Sequence, residues 1–148
     1  MSVTRDVAAS RQQVWDVMAD GWTYSQWVFG NSRMRAVAPN WPAPGSTIRH
    51  SIGVWPAVID DETIAESSVP LEKLVLLAKT GPAGAPRVTL RLSDIRNGCR
   101  VEMDEVGVRG PMSWIPRPLQ VIAFWPRNYE SLWRLGALAE RFKPSDLG

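Results

Sequence analysis

Two side chains stand out as able to move protons. His50 lies between Ile48 and Ile52, in a stretch whose apolar residues recur at every second position, the period of a strand. An imidazole on that apolar face could act as a general acid or base near neutral pH. It could equally be a hydrogen-bonded member of an interior wall. Glu105 follows Val101 and Met103 at the same two-residue spacing. Desolvation there would raise its pKa and make it a proton donor or acceptor. The other readings are a carboxylate at the open end of a sheet, or one paired with an arginine. A buried polar group without a partner costs about 1–3 kcal/mol, so both residues need a reason to be where they are.

Other chemistries are bounded by what the chain contains. With His50 its only histidine and Cys99 its only cysteine, it has no pair for an internal disulfide, a cysteine-rich zinc site or a two-histidine relay. Cys99 has no basic neighbour on its face and reads as a small buried hydrophobe. Metal-ligand spacings, phosphate loops, dinucleotide fingerprints and nucleophile elbows are absent, and Ser51 and Ser113 lack a triad. No metal and no cofactor is expected. Asp60, Asp61, Glu62 and Glu66 make one stretch acidic and read together as a solvated edge. Tyr24 and Tyr129 read as core residues whose hydroxyls could also reach a ligand.

The 148 residues suit one domain, 45% hydrophobic and 22% charged, with a formal net charge of +2. Arginines are scattered and no basic block occurs, so nucleic-acid binding is not supported. Arg5 and Asp6 interrupt any signal-like start. The longest clean apolar run, Leu74 to Ala78, falls far short of the ~20 residues of a spanning helix. A cytoplasmic protein without a transmembrane segment is expected. Eight tryptophans are unusual: Trp15, Trp22, Trp27, Trp41, Trp55, Trp114, Trp125 and Trp133. Most read as structural, and several as walls for an apolar or aromatic ligand.

The elements that would position these residues follow from periodicity. A first strand carries Val3, Val7 and Ala9, with Arg5 interrupting its face. Ser10 and Gln13 form a capping box, which predicts a helix over Arg11–Ala19, ended by Gly21. A second short helix covers about Thr23–Phe29. Six strands should follow, over Arg33–Val37, Thr47–Trp55, Ala57–Ser67, Leu71–Thr80, Arg87–Ile95 and Cys99–Val108, with a hairpin turn at Asn97-Gly98. Pro111, Pro116 and Pro118 predict an ordered apolar loop or lid over Gly110–Trp125. A partner-docking loop is the other reading. The last helix should start near Pro126 or Asn128, with Tyr129, Leu132, Trp133, Leu135, Gly136, Ala139 and Phe142 on its apolar face and Arg127 opposite. Gly136, at a cost of ~1 kcal/mol in mid-helix, implies a close approach to the sheet. The domain is expected to span 1–143, with a tail at 144–148.

The pattern Val3-x-Arg5-x-Val7-x-Ala9-Ser10, Val14-Trp15, Ala19-Asp20, Trp41-Pro42 and Pro44-Gly45 resembles the SRPBCC superfamily. So does the stretch Arg127-Asn128, Glu130, Leu132 and Arg134-Leu135, which is similar to the start of the long last helix in bacterial polyketide cyclase/dehydrase-like members. The resemblance implies an α+β helix-grip fold, a seven-stranded antiparallel sheet around a long C-terminal helix. It also implies a hydrophobic cavity between sheet and helix.

These readings converge on a protein that binds a small hydrophobic or aromatic ligand, lipid or polyketide-like. Trp27, Ile52, Leu76, Leu90, Met103, Tyr129, Leu132 and Trp133 are its expected walls, with Met112, Trp114 and Ile115 near the entrance. The alternative is a metal-independent cyclase or dehydratase using His50 and Glu105. A homodimer is left open.

Overall fold

The computed structural model describes residues 3–28, 31–52, 59–78, 85–109 and 114–141. Seven strands, β1 (Val3–Val7), β2 (Asn31–Val37), β3 (Thr47–Ile52), β4 (Ile59–Val69), β5 (Lys73–Ala78), β6 (Ala85–Ile95) and β7 (Gly98–Arg109), form one antiparallel sheet. Their spatial order is β1-β7-β6-β5-β4-β3-β2, so six strands meander and the first joins beside the last. Helices α1 (Arg11–Ala19) and α2 (Tyr24–Trp27) follow β1, and α3 (Arg117–Arg141) comes last. Helix α3 packs on β1, β7, α1 and α2, which is the expected helix-grip order.

The capping box forms as its spacing predicts. Ser10 Oγ accepts the Gln13 N–H at 3.1 Å, and Gln13 Oε1 accepts the Ser10 N–H at 3.1 Å. The box fixes the start of α1 and turns Val14, Trp15, Val17 and Met18 into the core. Gly21 has a different part from the one expected: α1 is capped by Asp20, and Gly21 opens a short 3-10 turn. A Cβ at Gly21 would lie 2.6 Å from Val37 Cγ1, so glycine is needed there for close packing on β2. The β6–β7 hairpin also differs by one residue, because Ile95 pairs with Gly98 and Asn97 takes the positive φ of 67°.

Alternation sorts the sheet into two faces. The inner face carries Val3 and Val7, Ile48 and His50, Thr63 and Ala65, Leu74 and Leu76, Val88 and Leu90, Val101 and Met103, all buried. Much of the outer face is laced by ion pairs: Asp6–Arg100 (2.8 Å), Arg91–Glu102 (3.9 Å), Arg87–Glu66 (2.8 Å), Arg49–Glu62 (3.6 Å) and Arg35–Asp60 (3.2 Å). Such exposed pairs stabilise by about 0–1 kcal/mol each, and they explain why the arginines are scattered.

The largest departure from expectation concerns Arg117–Trp125, in the stretch expected to be a loop, of which 110–113 lie outside the described residues. Helix α3 starts at Arg117, well before Pro126, and runs for 25 residues. Pro118 stands in the first turn, where no intrahelical bond needs its N–H. Pro126 lies inside the helix and withdraws the N–H that would meet the Ile122 carbonyl, an effect of about 3 kcal/mol in an isolated helix. Packing of Asn128, Ser131, Leu132, Leu135 and Ala139, all buried against the rest of the fold, offsets it.

Candidate functional site

Eight inward side chains from five elements converge under α3. Tyr24 and Trp27 come from α2, their rings meeting edge to face at 5.5 Å. The His50 ring on β3 lies 5.2 Å from that of Tyr24, and its Nε2 is 2.8 Å from Thr63 Oγ1 on β4. The β3–β4 register sets His50 opposite Asp61 and Ile48 opposite Thr63, so all four share the inner face. Glu105 reaches in from β7 with a side chain that is 0% exposed, and Arg127 Nη2 approaches its Oε1 at 3.4 Å. Arg127 and the buried Asn128 enter from α3.

Burial dominates the electrostatics. It depresses the His50 pKa to about 4, leaving a neutral imidazole at physiological pH. It raises the Asp61 carboxyl above the usual range, against an opposing backbone hydrogen bond at Glu62. It raises Glu105 as well, with Arg127 and then Asn128 pulling the other way. Tyr24 is raised by burial, with Thr63 opposing, and stays a neutral phenol. Burial thus favours the uncharged form of His50, Asp61, Glu105 and Tyr24 alike.

The polar groups of this cluster are under-partnered. Among the described residues, the buried side-chain atoms that complete no hydrogen bond are Trp27 Nε1, His50 Nδ1, Asp61 Oδ1, both Glu105 oxygens, Arg127 Nε and Asn128 Oδ1. All belong to this cluster. The Glu105–Arg127 contact is an ion pair that falls short of hydrogen-bond geometry. Native interiors leave few such atoms, so their concentration at one place calls for an explanation.

The predicted residues fall into three groups. His50, Glu105, Trp27, Leu76, Leu90, Met103 and Leu132 are buried in the interior. Trp114, Ile115, Tyr129 and Trp133 are exposed. Tyr129 stacks on Trp125 at 5.1 Å, and Trp133 receives the Arg5 guanidinium 5.4 Å from its ring centre. Together with Val3, Arg5 and Leu132, Tyr129 and Trp133 line a separate groove of about 300 Å³ between β1 and α3. Met112 and the Ile52 side chain lie outside the described residues.

Sequence reasoning misplaces Asp61, Arg127 and Asn128. Asp61 is buried and not part of a solvated edge, because it is in phase with Thr63 and Ala65. Its acidic neighbours Asp60 and Glu62 hide that alternation. Arg127 turns toward Glu105 and not toward the solvent side of the helix. Asn128 is an interior helical residue and not a cap, because α3 begins eleven positions earlier, at Arg117. Among the described residues, no three of His, Cys, Asp and Glu are grouped to hold a metal ion.

Solved structures place this arrangement in a known architecture. The chain superposes on the Zhui aromatase/cyclase from a Streptomyces species with a TM-score of 0.69 at 16% identity, covering 95% of this chain and 93% of that one. The chain has the helix-grip fold. Protein CV1439 from Chromobacterium violaceum matches at 0.68 and 19% identity, covering 95% and 96%. The di-domain aromatase/cyclase StfQ of the steffimycin biosynthetic pathway matches at 0.71 and 12%, over all of this chain and 51% of that one. Likeness at these identities carries the architecture, and the chemistry rests on the residues themselves. No protein-family model matches the chain, and no curated protein matches it.

Proposed function

We propose that this protein binds a small, mostly apolar or aromatic molecule bearing oxygen substituents, held under α3 against the inner face of the sheet. The observation that carries the reading is the set of buried polar atoms that lack a hydrogen bond on Trp27, His50, Asp61, Glu105, Arg127 and Asn128, only Glu105 and Arg127 among them being joined in an ion pair. Each such atom costs about 1–3 kcal/mol in a closed apolar interior. A ligand with hydroxyl and carbonyl groups would satisfy donors and acceptors together, while Leu90, Met103 and Leu132 supply apolar contact. The aromatase/cyclase neighbours support the same reading by architecture. Calorimetric titration with hydroxylated polycyclic aromatics and with saturated fatty acids tests it. The hydroxylated set should bind more tightly, and Asp61→Leu should narrow the difference. Equal affinity for both sets would count against the polar cluster as the recognition element.

A second reading, acid–base catalysis in a cyclisation or dehydration, is favoured by a buried, neutral His50 ring set opposite the buried Asp61 carboxyl across β3 and β4. His50 would accept a proton and Asp61 or Glu105 would donate one. Turnover of a poly-β-keto thioester that survives His50→Ala, Asp61→Asn and Glu105→Gln unchanged would remove these groups from the chemistry.

A further inference from the structure

We propose that Thr63 is a positioning residue. Its hydroxyl holds His50 in the Nδ1–H tautomer, so that the imidazole meets a ligand as a hydrogen-bond donor and selects a carbonyl-type oxygen. This inference rests on the interior-ligand reading above. His50 Nε2 lies 2.8 Å from Thr63 Oγ1, and both residues are buried. Burial keeps the ring neutral at physiological pH. A neutral imidazole has one N–H and one bare nitrogen, so the part played by Nε2 decides the part left to Nδ1.

The proton order follows from counting partners. Thr63 shares its hydroxyl between His50 Nε2 and the Tyr24 phenol. The Tyr24 and His50 rings lie 5.2 Å apart, so the three side chains form one chain of contacts. Among the described residues, the Tyr24 hydroxyl has no other side-chain hydrogen bond. In one order the phenol donates to Thr63 and Thr63 donates to Nε2, which leaves over only Nδ1, carrying its proton. In the other order Nε2 donates to Thr63 and Thr63 donates to the phenol oxygen, which leaves over both the phenol proton and a bare Nδ1. A buried site favours the order with fewer orphaned groups. The same order runs from the more acidic hydroxyl to the basic nitrogen, so each link strengthens the next.

Nδ1–H held in this way is a buried donor without a partner. The β3–β4 register sets His50 opposite Asp61, whose Oδ1 has no hydrogen bond either, so the donor belongs to the under-partnered cluster. A carbonyl oxygen on the ligand completes that donor, and an unsubstituted arene leaves it bare.

The test is nitrogen NMR of the full chain grown with isotope-labelled histidine, because His50 is the only histidine and gives the only ring signals. The ligand-free parent should carry its ring proton on Nδ1. Thr63→Ser should keep that form, and Thr63→Val should convert a substantial fraction to Nε2–H, the form a free imidazole side chain prefers. In fluorescence titration the parent should bind a polycyclic quinone about three- to tenfold more tightly than the ring-matched arene. Thr63→Ser should keep that preference and Thr63→Val should lose it. A ring proton on Nε2 in the parent overturns the inference and leaves the binding reading standing, and that spectrum needs no variant to fold. A tautomer untouched by Thr63→Val, or a preference lost equally in Thr63→Ser, overturns it too. Binding of neither compound to a parent protonated on Nδ1 fails the binding reading, and the selection of a carbonyl falls with it.

Discussion

His50 and Asp61 are direct cross-strand partners on the inner face, yet His50 Nδ1 and Asp61 Oδ1 are both buried without a hydrogen-bond partner. Burial pushes the two in opposite directions, the ring down to about 4 from 6.5 and the carboxyl up from 3.8. In the unfolded chain His50 takes a proton near pH 6.5, while in the folded chain it does so only near pH 4. Its contribution to stability is therefore complete above pH 6.5 and is lost as pH falls toward 4. The loss is at most about 3 kcal/mol, each tenfold change in proton affinity being worth ~1.4 kcal/mol. Urea denaturation of His50→Gln across this range should show a shallower decline than the parent. An identical slope would show that the ring protonates freely in the folded state.

Asp61 carries the opposite sign. A carboxyl with a raised pKa holds its proton longer in the folded state, so stability is lost as pH rises from 3.8 through the raised value. Asp61→Asn, which has no proton to lose, should therefore gain stability relative to the parent on going from pH 4 to pH 7. Urea midpoints of the two proteins at both pH values would show the gap widening. A variant that gains nothing between those pH values would place the carboxylate in a well-solvated environment.

Glu105 and Arg127 should behave asymmetrically. Arg127→Ala leaves a fully buried carboxyl without its cation, and loss of one member of a buried pair costs about 3–5 kcal/mol. Arg127 is 36% exposed, which argues for the lower end of that range or below. Glu105→Gln frees a guanidinium that can turn to solvent, and should cost about 1 kcal/mol. Guanidinium chloride midpoints would rank them, and the reverse order would contradict the assignment of Glu105 as the buried partner.

Gly136 and Arg5 should be coupled. Arg5 Nη1 donates to the carbonyls of Leu132 and Trp133, and a Cβ at Gly136 would lie 2.7 Å from its Cζ. Gly136→Ala alone should be nearly neutral, the helix gain of about 1 kcal/mol offset by a displaced guanidinium. In an Arg5→Ala background the same change should stabilise by about that full amount. Additive effects in thermal denaturation would mean that the two side chains do not meet.

The fold is legible in the sequence because periodicity changes sharply at Ser10 and β3, β6 and β7 keep a clear alternation. Helix α3 is not legible over Arg117–Trp125, because proline propensity argues against it there while tertiary burial of Leu132, Leu135 and Ala139 outweighs that propensity. Pro118 sits where helices tolerate proline, and that signal is present in the chain. Two members of the polar cluster are legible too: His50 and Glu105 stand alone among apolar neighbours. Asp61 is hidden in an acidic run, and Arg127 is hidden by a proline that mimics a helix start beside it. Thr63 becomes a site residue only through its contact with His50 on the neighbouring strand, which spacing along the chain does not encode.

Interior ligand binding is tested most sharply by native mass spectrometry of the gently purified protein, bare and with hydroxylated polycyclic aromatics. A non-covalent one-to-one adduct is expected, and it should weaken when Asp61 and His50 are both replaced by leucine. A bare polypeptide mass across the whole panel, or an adduct indifferent to those replacements, would contradict a binding role for the cluster under α3.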